Sequence, residues 1–105
     1  MEMFGLKQKH IEKINSIIVK YPEVQKVILY GSRAKGNYKN GSDIDLTMVG
    51  TSLELTTQFR IENELDDLLL PYGIDLSILS QISNPDLVDH INRVGKIFYD
   101  KTQAL

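Results

Sequence analysis

The sequence predicts an α+β, α/β-like fold: a small mixed β-sheet of three to four strands flanked by helices. Helical and strand-like periodicities alternate along the chain, which is the pattern of helices layered on a sheet. Pro22, Pro71 and Pro85, with Gly50, Gly73 and Gly95, fall at the boundaries between those periodic segments. The 105 residues suffice for one ordinary hydrophobic core and leave no room for a second, so residues 1–105 read as one domain.

The elements follow in order. Leu6, His10, Ile11, Ile14, Ile17, Ile18 and Tyr21 recur at helical spacing and predict a first helix over about Lys7 to Lys20, ended by Pro22. Val24 to Tyr30 is short, apolar and rich in β-branched residues, the composition of a buried strand. Gly31 to Ser42 holds three glycines, two asparagines and no sustained apolar period, so it reads as a loop with room for one helical turn. Asp43 to Val49 is the second strand, closed by Gly50. Thr51 and Glu54 have capping-box spacing ahead of a helix through Leu55, Phe59, Leu65, Leu68 and Leu69, which Pro71 and Gly73 terminate. Ile74 to Leu79 is the third strand. Asn84-Pro85 places a good N-cap before proline at the first helical position, and the last helix carries Leu87, Val88, Ile91 and Val94 up to Gly95. Lys96 to Tyr99 is short enough for a fourth strand at the edge.

Composition narrows the function classes. Hydrophobic residues make up 42% and charged residues 25%, as in ordinary globular proteins. No apolar run approaches the roughly 20 residues that cross a bilayer. The start, Met1-Glu2-Met3-Phe4-Gly5, lacks the basic and apolar regions of a signal peptide. Without cysteine there is no disulfide framework and no thiolate metal site, and a cytoplasmic location fits best. The formal net charge of −2 argues against direct nucleic-acid binding, which ordinarily rests on a basic excess.

Three aspartates break the apolar pattern of the predicted strands. Asp43 and Asp45 are two apart, so both carboxylates point to one face of the sheet while Ile44, Leu46 and Met48 fill the other. Asp75 lies in the same setting, with Ile74, Leu76 and Ile78 opposite. A lone Asp-X-Asp is ordinarily strand-edge solvation. Three such carboxylates with no compensating Lys or Arg on those strands repel one another, and a hard divalent cation neutralises such a cluster. The second and third strands are joined by a helix; if they lie side by side in one sheet, a right-handed crossover makes them parallel and brings Asp45, near the start of its strand, close to Asp75, near the start of its own. If the first strand runs antiparallel to the second, Gly31 and Ser32 reach the same edge as Asp43. Glycine lets a phosphate approach the backbone, and Ser32 can start a turn whose free N–H groups favour an anion. Arg33 and Lys35 could add positive charge there. Taken alone, Gly-Ser is an ordinary turn and each basic residue an ordinary surface charge.

Gly31-Ser32, ten intervening residues, then Asp43-Ile44-Asp45 resembles the signature of the DNA polymerase β-type nucleotidyltransferase superfamily. The string LYGSRAKGNYKNGSDIDL is similar to its minimal nucleotidyltransferase (MNT) branch, and Asp75 matches the third carboxylate on a later strand. The resemblance runs from about Val27 to Leu79. It implies a nucleotidyltransferase fold, ATP as substrate, and magnesium, or manganese in its place, held by Asp43, Asp45 and Asp75. It further implies that two such ions bridge the carboxylates and the triphosphate during in-line displacement at the α-phosphorus, with the Gly31–Ser32 turn on the β- and γ-phosphates. It also implies a partner: MNT proteins often stand beside a HEPN ribonuclease toxin, as antitoxins that transfer AMP to a toxin tyrosine. Two other readings stay open, an antitoxin that acts by contact alone and a subunit that modifies a small molecule.

His10 and His90 have no second ligand at zinc spacing, so both read as structural or surface residues. Tyr30 reads as core and Tyr38 as a solvated loop residue, although it could stack on a base. Glu62, Glu64, Asp66 and Asp67 read as the solvated side of a helix.

Overall fold

The computed structural model describes residues 2–103. A short hairpin comes first, with strand β1 (Glu2–Met3) paired antiparallel to β2 (Leu6–Lys7). Helix α1 (Gln8–Ile18) leads into β3 (Lys26–Tyr30), and the single-turn helix α2 (Ser32–Lys35) leads into β4 (Ile44–Val49). Helix α3 (Leu55–Asp66), β5 (Ile74–Ile78), α4 (Pro85–Val94) and β6 (Lys96–Asp100) complete the order, with 3-10 turns at Leu79–Gln81 and Lys101–Gln103. The main sheet is mixed and four-stranded, in the order β5-β4-β3-β6. No helix among the described residues is long and apolar enough to cross a membrane.

The alternation of side chains divides the sheet into two faces. Val27, Leu29, Leu46, Met48, Leu76 and Ile78 form one, buried against Ile11, Ile14, Ile17 and Ile18 of α1 and Ile61 and Leu65 of α3. The other face carries Tyr30, Asp45 and Asp75 in one row and Ile28, Thr47 and Ser77 in the next. Helix α4 packs on that face against β3. Ser77 donates its hydroxyl to Thr47 Oγ1 at 2.8 Å, which satisfies a polar pair beneath the fully buried Thr47.

The predicted fold class holds, and the fourth strand is real: β6 pairs antiparallel with β3 at the edge, with a bulge at Phe98 between Val27 and Ile28. Four details differ from the sequence reading. Helix α1 begins at Gln8 because Leu6 is taken by the hairpin, fully buried. Asp43 lies just before β4, not within it. The capping box does not form, since α3 starts after Glu54 with no side-chain cap and Thr51 stays exposed. The apolar stripe of α3 is also turned differently: Ile61 and Leu65 reach the core, while Leu55 and Phe59 remain exposed and Leu69 lies beyond the helix, 88% exposed. A helix whose apolar residues spread around its circumference can bury only the pair that the sheet geometry selects. Helix α4 forms as expected, with Asn84 Oδ1 accepting the Asp86 N–H at 2.9 Å.

Candidate active site

Strand register brings the predicted residues to one edge. Strands β4 and β5 are parallel, and Asp45 pairs directly with Asp75. Strands β3 and β4 are antiparallel, and Tyr30 pairs with Asp45 on the other side. The chain then turns at Gly31, so the turn and two carboxylates share one end of three adjacent strands.

Two glycines make the approach of the aspartates to the backbone feasible. Gly31 sits at φ 75°, in the left-handed region, and a Cβ there would overlap Asp45 Oδ2. Gly73 lies just before β5, where a Cβ would stand 2.6 Å from Asp43 Oδ1. The Gly73 carbonyl also accepts the Ile44 N–H at 2.8 Å, which fixes the start of β4 beside the start of β5. The sequence reading assigned Gly73 only to helix termination. Its contact with Asp43 depends on strands thirty residues apart.

The electrostatics are those of a carboxylate cluster with no counter-charge. Among the described residues, neither of the two ion pairs, Lys20–Glu64 and Arg93–Asp89, involves Asp43, Asp45 or Asp75. Burial, then the charges of Asp75 and Asp43, push the Asp45 carboxyl above the ordinary aspartate range. Among the described residues no three carboxylate or imidazole side chains converge on one ion-sized point. Asp43, Asp45 and Asp75 offer oxygen donors only, the donor type that hard divalent cations take.

Ser32 begins the single turn of α2, whose first N–H groups have no acceptor within the helix. Lys35 ends that turn, exposed. Arg33 departs from expectation. It is 2% exposed and turned inward. Nη1 donates to Phe4 O at 2.9 Å, Nη2 to Ser42 O at 2.8 Å and Asn40 O at 3.3 Å, and Nε to Ser42 O at 3.1 Å. The guanidinium carbon lies 5.0 Å from the ring centres of both Tyr38 and Tyr72. Arg33 thus ties the hairpin to the segment that delivers Asp43, and Tyr38 is committed to its guanidinium as part of the packing. Backbone carbonyls are its acceptors, and these leave no mark in a sequence.

His90 was also read as structural, yet it reaches the site. The Gly31 N–H donates to His90 Nε2 at 3.2 Å, and the imidazole meets the Tyr30 ring edge-on at 6.2 Å. A shallow cleft lined by Gln25, Lys26, Asp100, Lys101 and Thr102 lies at the far end of β3 and includes none of these residues. The aspartates instead stand on an open sheet edge, where Asp43 and Asp75 are exposed.

A family model described as polymerase beta, nucleotidyltransferase matches residues 12–104, most of the chain. The chain belongs to the polymerase beta nucleotidyltransferase family. One relative, a Methanocaldococcus jannaschii protein named as a protein adenylyltransferase, is 35% identical to this nucleotidyltransferase over 69 residues. That match spans 65% of this chain and 65% of the relative's length. A toxin–antitoxin crystal structure with AMP-PNP is similar at TM-score 0.70 and 23% identity, covering 90% of this chain and 76% of that one. A tri-AMPylated Shewanella oneidensis HEPN toxin in complex with its MNT antitoxin is similar at TM-score 0.65 and 21% identity, covering 92% and 75%. At such identities the likeness is one of fold.

Proposed function

We propose that this nucleotidyltransferase transfers AMP from ATP to a tyrosine hydroxyl of a HEPN-domain ribonuclease toxin and acts as its antitoxin. The observation that carries the reading is the register pairing of Asp45 with Asp75 on one side and with Tyr30, next to Gly31, on the other. It supports a single edge that serves both a phosphate turn and a cation-binding carboxylate cluster. The protein adenylyltransferase relative and the fold shared with MNT antitoxins support the same direction.

Roles follow from placement. Asp43, Asp45 and Asp75 would hold magnesium, whose charge would neutralise the triphosphate and the oxygen developing at the α-phosphorus. Gly31 allows the backbone to approach the β- and γ-phosphates, and the free N–H groups from Ser32 onward together with its hydroxyl donate to them. Lys35, at the end of the same turn, contributes screened positive charge from the solvent side. Asp75, exposed at the start of β5, would hold the ion that activates the acceptor hydroxyl or accept its proton. In the transfer the acceptor oxygen forms a bond to the α-phosphorus while the bond from that phosphorus to the bridging oxygen breaks. Pyrophosphate leaves and the hydroxyl proton passes to the carboxylate.

The test is co-expression with a HEPN ribonuclease encoded beside this gene, followed by intact-mass measurement of that partner. The partner should gain one or more AMP units and lose toxicity, and the Asp43→Ala, Asp45→Ala double variant should abolish both effects. Full protection by the double variant, with an unmodified partner, would replace catalysis with inhibition by contact.

A further inference from the structure

We infer that His90 is a positioning residue for the nucleotide turn, acting through the backbone of Gly31. The inference rests on the reading of Gly31–Ser32 as the phosphate turn. A backbone N–H can only donate, so the 3.2 Å contact makes His90 Nε2 an acceptor and leaves the ring proton on Nδ1. The bond fixes the peptide between Tyr30 and Gly31 at the point where β3 ends and the chain enters φ 75°. The next peptide, which carries the Ser32 N–H, takes its direction from there.

The imidazole is held by Gly31 and Tyr30, and the helix that carries it is anchored on β3. The imidazole edge rests against Tyr30, a buried ring on the same sheet face as Asp45. Helix α4 is anchored at its start by the Asn84 cap and in its second half by Ile91, 2% exposed. At its end, Gly95 packs so closely that a Cβ would stand 2.6 Å from Ile28 Cγ2 on β3. These contacts set the helix on the Ile28–Tyr30 face, so His90 reaches Gly31 without moving the backbone. Gly31 is thereby confined from two directions, by His90 at its N–H and by Asp45 Oδ2 in the space a Cβ would take. An anchored acceptor on a second element keeps the left-handed turn in one conformation before nucleotide arrives, which lowers the ordering cost of binding.

Two variants and two readouts test this. His90→Phe keeps a ring against Tyr30 and removes the acceptor; His90→Gln keeps an acceptor at about the reach of Nε2. Amide hydrogen exchange at Gly31, followed by NMR in the nucleotide-free protein, reads the bond directly. Exchange should accelerate about five- to tenfold in His90→Phe, the effect of one hydrogen bond, and stay near the parent's rate in His90→Gln. In the transfer assay the KM for ATP should rise about five- to tenfold in His90→Phe, with kcat little changed, and His90→Gln should restore it. Unchanged Gly31 exchange in a folded His90→Phe protein would overturn the inference. Faster exchange with an unmoved KM would reduce the bond to a structural one and overturn the positioning role. A His90→Gln protein as impaired as His90→Phe in both readouts would also overturn it. Failure of the parent protein itself to bind ATP with magnesium would instead remove the proposed function, and the exchange experiment would still report on the bond.

Discussion

Replacing Arg33 with methionine should cost this protein a large part of its stability, although the residue makes no ion pair in the structure. Its guanidinium donates four hydrogen bonds to three carbonyls, those of Phe4, Asn40 and Ser42, and lies between two tyrosine rings. Methionine fills similar space and donates nothing. A buried carbonyl that loses its donor costs about 1–3 kcal/mol. Asn40 is exposed and can recover water, which leaves Phe4 and Ser42, both half-buried, as the main losses. Their sum, with about 1–2 kcal/mol for the ring contacts, is roughly 3–8 kcal/mol, and burial of the apolar methionine side chain offsets about 1–3 kcal/mol of it, which leaves roughly 2–5 kcal/mol. In a domain of this size each kcal/mol shifts Tm by about 4–8 °C, so even the lower figure predicts a fall of about 8–16 °C. Arg33→Lys should lie between the two, because one ammonium cannot span Phe4 on one side and Asn40 and Ser42 on the other. Urea titration monitored by circular dichroism measures both variants. A methionine variant within about 1 kcal/mol of the parent at unchanged m-value would refute the reasoning, as would a lysine variant equal to arginine.

Other outcomes follow from the same geometry. The Asp45 carboxyl is raised in the folded state, so the folded form binds a proton that the unfolded chain has lost; its stabilising contribution is present below the ordinary aspartate pKa and disappears as pH rises through the folded value. Asp45→Asn should therefore raise the Tm of the metal-free protein at neutral pH and flatten its decline above pH 4 (an approximate onset set by the ordinary aspartate value), as a pH series of thermal melts will show. Gly31→Ala meets both the left-handed φ and the Asp45 carboxylate, and should lose roughly 1–3 kcal/mol; adding Asp45→Gly should recover only the steric part. Calorimetry should find ATP binding that magnesium or manganese supports and EDTA removes, whereas equal affinity in EDTA would sever the aspartates from the nucleotide site.

The sequence made the sheet and its edge legible because both are written in local patterns. Alternation on β4 and β5 sets the aspartates opposite Leu46 and Leu76, and the intervening helix dictates parallel strands, so the Asp45–Asp75 pairing could be anticipated. What escaped depends on contacts between distant elements. His90 meets Gly31 across 59 residues, and only the rotation of α4 on β3 decides whether it does. Arg33 lies beside the glycine-serine turn in sequence, yet the hairpin carbonyl of Phe4 and the carbonyls before Asp43 draw it inward. The hairpin itself was hidden because Leu6 fits the helical period that follows it. In α3, Leu55 and Phe59 satisfy an apolar stripe but face solvent, since the face turned to the sheet carries Ile61 and Leu65, with Gln58 donating to the Leu76 carbonyl.

In the proposed reaction the three aspartates and the Gly31 turn move the α-phosphoryl group, with its adenosine, onto a protein hydroxyl. Parallel reactions with α-labelled and γ-labelled ATP, magnesium and a purified HEPN partner test it most directly. Label should reach the partner from the α-position only, dependent on magnesium and lost in Asp43→Ala, Asp45→Ala. Label arriving from the γ-position, or α-label transferred at the parent's rate by the double variant, would contradict it.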